Sequence, residues 1–99
     1  MAAVWQKETA RLLTELTGEA RPDVAVRLVL KDAVEHRLEI IARGLRHFES
    51  KYQMTFPEYK RRWDSEDKPA DYSFEAESDY LEWEALITRQ ARLEKLHAD

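Results

Sequence analysis

The sequence predicts an all-α protein of about four helices, two of them long, on three observations. Ala, Leu, Glu, Lys and Arg, the residues that lose least on entering a helix, dominate the composition. Only two glycines and three prolines are available, too few for a sheet with many turns. Apolar residues recur at steps of three and four rather than two along most of the chain. Ninety-nine residues make a single domain with a modest core, which oligomerisation or a partner can reinforce.

Trp5, Leu12 and Leu16, with Leu13 widening the face, predict a first helix over about residues 3–16. Gly18 is placed to close it in the left-handed conformation, and Asp23 to cap the next helix with a charge suited to the positive end of its dipole. The second helix, about 23–51, carries the stripe Leu30, Val34, Leu38, Ile41, Leu45, Phe48 and Tyr52. At 1.5 Å per residue it spans about 43 Å, long for so small a globule to bury evenly. Its seam of Val34, Leu38, Ile41 and Leu45 therefore faces either other helices of the chain or a second subunit, which makes a homodimer one expectation. Gly44 inside the helix costs about 1 kcal/mol relative to alanine.

Thr55 and Glu58 form a capping box, Met54 and Tyr59 a hydrophobic staple, and Pro57 occupies the first turn, where no N–H is needed. These open a short third helix over about 56–63. A polar, acidic linker covers about 64–72, and Ser73 can cap a last helix over about 73–97. Its stripe is Tyr80, Trp83, Ile87, Gln90 and Leu93, with acids in its first turns and basic residues in its last.

Charge is segregated. Residues 64–84 hold nine acids against Lys68 alone, whereas residues 1–63 hold twelve Lys or Arg against nine acids. Such asymmetry points to a charged partner surface or to a solvated acidic segment. The basic residues of helix two and Lys60, Arg61 and Arg62 give a nucleic-acid reading some footing, but the net charge of −4 and the acids that follow oppose it. With no cysteine, neither a disulfide framework nor a thiolate metal site is available, which fits a cytoplasmic protein. No window approaches the roughly 18 apolar residues of a membrane span.

Catalytic and metal chemistry find little material. Asp32, His36 and Glu39 share a helical face, and Glu94 and His97 form a lone Glu-x-x-His, but di-iron bundles need two such motifs and further glutamates. No serine sits in a Gly-x-Ser-x-Gly setting. Arg92 and His97 resemble the Arg-x(4–6)-His motif of HEPN-type ribonucleases, although Leu93 stands where those enzymes place a polar residue. The expectation is a protein without catalytic activity, cofactor or metal.

Phe48-Glu49-Ser50-Lys51-Tyr52, then Met54-Thr55-Phe56-Pro57-Glu58, then Arg61-Arg62-Trp63, then Leu81-Glu82-Trp83-Glu84-Ala85-Leu86 follow one another in order. This succession resembles small helical proteins that act as antitoxins in prokaryotic toxin–antitoxin pairs, over roughly residues 38–96. The resemblance implies an interaction protein that masks a basic cognate partner, such as a toxin acting on RNA or nucleotides. It implies partner-binding residues Trp63, Asp64, Glu66, Asp67, Asp71, Tyr72 and Phe74, with Tyr80 and Trp83 as further anchors if they are exposed. Helical spacing instead favours core positions for Tyr80 and Trp83. A self-associating helical scaffold is the alternative.

Overall fold

The structure is a computed structural model that describes residues 5–65 and 74–98. Its elements are α1 (Lys7–Thr17), α2 (Pro22–Tyr52), α3 (Phe56–Asp64) and α4 (Phe74–Ala98), and no strand occurs among the described residues. The chain divides into two compact units, Met1–His36 and Arg37–Asp99.

In the first unit α1 begins at Lys7, four residues later than the apolar spacing predicts, because Gln6 is still extended at φ −62°, ψ 142°. Gly18 ends the helix as expected, at φ 77°, with its N–H donating to the Thr14 carbonyl. Asp23 does not cap α2. Pro22 takes the first helical position, and the Arg21 carbonyl accepts from the N–H groups of Val24 and Ala25. Asp23 lies in the first turn, paired with Arg21 at 3.2 Å. Leu13 and Ala25 are the buried residues here; Leu12, Leu16, Leu28 and Leu30 stay exposed, and Val34 is half-buried.

The second unit is built around Trp83, which is fully buried. Phe48 stacks on it at 5.4 Å between ring centroids, and Tyr52 stacks at 5.9 Å. Phe56 and Tyr59 of α3 approach it at 5.4 and 5.1 Å. Offset and tilted aromatic pairs at these separations add to the apolar burial of each ring. Met54 and Leu45 pack against the same cluster, which places the predicted staple and one seam residue inside it. Ile41 is 2% exposed within the single chain, and Leu38 is half-buried.

Residues 37–52 of α2 run antiparallel to α4, since Gly44 meets Leu86, Phe48 meets Trp83 and Tyr52 meets Asp79. Gly44 has a packing role that its helix-breaking cost conceals. A Cβ there would stand 2.8 Å from Leu86 Cδ1, so the missing side chain is the space the leucine occupies. At the α2–α3 break Gln53 adopts φ 55°, a left-handed conformation that favours glycine, and its side-chain amide donates to the Ser50 carbonyl at 2.7 Å. The Thr55 hydroxyl caps α3 by accepting from the Glu58 N–H and donates to the Glu58 carboxylate at 3.0 Å. The predicted cap at Ser73 lies outside the described residues.

Two stability predictions follow from this packing. Trp83→Ala lowers the unfolding free energy by about 3–5 kcal/mol in urea denaturation followed by circular dichroism. Gln53→Gly raises it by about 0.5–1 kcal/mol, because the left-handed position no longer carries a Cβ.

Candidate functional site

The acidic half of the chain forms the candidate site. Of the residues expected to bind a partner, Glu66, Asp67, Asp71 and Tyr72 lie outside the described residues, while Trp63, Asp64 and Phe74 are described. Trp63 is half-buried and belongs to the aromatic cluster, stacked on Tyr80 at 5.1 Å and 5.9 Å from Tyr59. Asp64 is exposed, with Lys60 Nζ 3.8 Å away one helical turn earlier. Phe74 opens α4 and is 88% exposed, the most exposed large apolar residue of the protein's described part. Tyr80 and Trp83 are not surface anchors. They face the core because they share one side of α4 with Ala76 and Ile87.

The acids of α4 divide into two groups by their partners. Asp79 is committed internally: its Oδ2 accepts from Lys51 Nζ at 2.6 Å and from Tyr52 Oη at 2.5 Å. Its side chain is only 14% exposed. Lys51 also donates to Glu75 at 2.9 Å. This cluster ties the end of α2 to the first turns of α4 beside the aromatic core. Burial would raise the Asp79 carboxyl, but the hydrogen bonds from Lys51 and Tyr52, helped by the charge of His47, outweigh it and hold it below its ordinary value. Hydrogen bonds to Asp79 and then Glu75 raise Lys51. Tyr52 is raised by burial first and by its bond to Asp79 second. In the second group Glu77 and Glu82 are exposed and Glu84 half-buried, and none holds an ion pair among the described residues.

A shallow cleft of about 370 Å³ opens on another side of the same unit, between α2, the start of α3 and α4. Leu45, Phe56, Pro57 and Ile87 supply its apolar lining, and Arg46 and Glu49 are its charged groups. That inventory lacks an acid–base pair or a nucleophile facing a common point. Arg92 and His97 stand exposed on the last turns of α4. Among the described residues no three His, Asp or Glu side chains converge as metal ligands, and no helix is long and apolar enough to cross a membrane.

Sequence reasoning passed over Leu81, which is 58% exposed and lies seven residues after Phe74 on the same side of α4. The available signal was its phase, since the stripe through Tyr80, Trp83 and Ile87 leaves Leu81 on the opposite face. No family model matches the chain, and comparison with curated proteins and with solved structures gives no match.

The Asp79 cluster generates a pH prediction. A carboxylate whose pKa is lowered by folding stabilises the fold above its unfolded value of about 3.9, and that contribution disappears as pH falls through the lower folded value. Asp79→Asn therefore melts below the parent protein at pH 7, and the two melting curves converge as the pH is lowered well below 3.9. A gap that persists unchanged at low pH would assign the loss to packing instead.

Proposed function

We propose that the protein is a non-catalytic, cytoplasmic interaction protein of the antitoxin type, which binds and masks a basic partner. The observation that carries this reading is the acidic block of residues 64–84 with Phe74 standing exposed within it. A surface of one sign raises the encounter rate with an oppositely charged partner, and a protruding aromatic side chain supplies the desolvated anchor that charge alone does not. Asp64 at the end of α3 and Glu77 one turn after Phe74 carry carboxylates exposed to solvent, so an incoming lysine or arginine can pair with them without dismantling the fold. Asp79 and Glu75 serve Lys51 and contribute to the field rather than to new ion pairs. Trp63 offers the outer edge of the aromatic cluster as a second contact, and the resemblance of Phe48–Trp63 to antitoxin-like proteins supports the same reading.

Masking in this scheme is occupation. A partner that handles RNA or nucleotides presents a basic active surface, and the acids of residues 64–71 together with Glu77 occupy it in place of phosphate. The test is affinity capture of the tagged full chain at its native level from its own cells, with the captured proteins identified and weighed against the bait. The expected result is one stoichiometric basic protein, lost when Asp64, Glu66, Asp67 and Asp71 are neutralised together with Phe74→Ala while the circular dichroism spectrum is unchanged. Recovery of the bait alone, or capture that survives those substitutions, would overturn the proposal.

A further inference from the structure

The outward side of α4 changes sign along its length. Successive residues are rotated by about 100°, so the side opposite Trp83 and Ala76 carries Phe74, Leu81, Ala85, Thr88, Arg92 and Leu96. Leu81 and Leu96 are 58% and 60% exposed. Glu77, Glu82 and Glu84 border the first half of this face, whereas Arg89, Arg92 and Lys95 lie on or beside the second half. Glu94 stands on the other side of the helix from Arg92 and leaves the face. None of these six bordering charges has an ion pair among the described residues. Their spacing prevents it within the helix: the nearest acid and base across the change of sign are Glu84 and Arg89, five apart, whereas helical neighbours are three or four apart.

We infer that this face binds a second copy of the chain, with the two α4 helices antiparallel about a two-fold axis. Turning one α4 end for end sets its acidic half against the basic half of the other. Glu77 and Lys95 lie on one flank of the face and Glu82 and Arg89 on the other, and the midpoints of both pairs fall at positions 85–86, so one axis serves the two pairs. Each pair occurs twice in the dimer, as an isologous interface requires. Small residues, Ala85 and Thr88, lie beside the axis and permit close approach, while Leu81 comes opposite Arg92, whose aliphatic stem can cover it. The interface lies on the side of α4 turned away from Trp83 and does not depend on the masking reading, although Glu77 belongs to both surfaces.

The purified full chain decides this alone. Sedimentation equilibrium is expected to show a dimer whose Kd rises at least about tenfold when Glu77, Glu82 and Glu84 are changed to Lys, and likewise when Arg89, Arg92 and Lys95 are changed to Glu. Mixing the two variants restores dimers, as does combining all six reversals in one chain. Because the protein has no cysteine, Ala85→Cys gives an unambiguous probe of the axis and forms a disulfide-linked dimer on mild oxidation. Ser78→Cys, far from the axis, does not. A chain that stays monomeric at high micromolar concentration, or cross-links equally well through positions 78 and 85, would overturn the antiparallel dimer.

Discussion

Burial of one indole organises the larger unit. Trp83 takes a ring from each of two positions on α2 and two positions on α3, and these contacts are what bring three helices into register. The short α3 depends on it most. Nine residues cannot hold a helix in water by propensity alone, and Phe56 and Tyr59 are the only buried side chains it owns. The Thr55 cap fixes where α3 starts, and Gln53 supplies the reversal that turns its apolar face back toward α4. Gly44 belongs to the same arrangement, because a side chain there would displace the end of Leu86 from the space it fills.

The placement of Trp83 also sorts the acids of α4. On the side of the core, Asp79 is drawn into bonds with Lys51 and Tyr52, where a half-buried carboxylate is tolerated because both donors are at hand. On the outer side Glu77 and Glu82 remain in water. The same helix thereby carries a structural carboxylate and a set of open ones within two turns. The aromatic core backs this outer side of the helix, although Glu77 and Glu82 themselves make no hydrogen bond or ion pair among the described residues. Both the masking and the dimeric readings use that outer side, and neither asks the buried rings to do more than hold the helix.

Much of this was legible in the sequence. Four helices, the left-handed Gly18, the Thr55–Glu58 cap and the core stripe of α4 follow from local rules that act over a few residues. The misses have physical causes. Apolar spacing marks a face but not the first hydrogen bond, so α1 starts at Lys7 and not at residue 3. A proline that fits the first helical position prevailed over the acid after it, which moved the start of α2 to Pro22. Asp79 reads locally as one more acid favourable to a helix start; only the antiparallel pairing reveals that Lys51 and Tyr52 claim it. Gly44 reads as a cost because its benefit lies on another helix. Of the candidate site, Phe74 was recognised and Leu81 was not, since an exposed leucine becomes informative only when the buried side of its helix is known.

Packing around Trp83, the fully buried side chain of the second unit, makes that region its most stable part and leaves the outer side of α4 in solvent. Native-state hydrogen exchange on the purified chain tests it most directly. The expected result is that the slowest amides lie around Phe48, Tyr59 and Trp83 and exchange together at the free energy of global unfolding. It would be contradicted if the amides of α3 exchanged early and independently, with the slowest ones lying elsewhere on the chain.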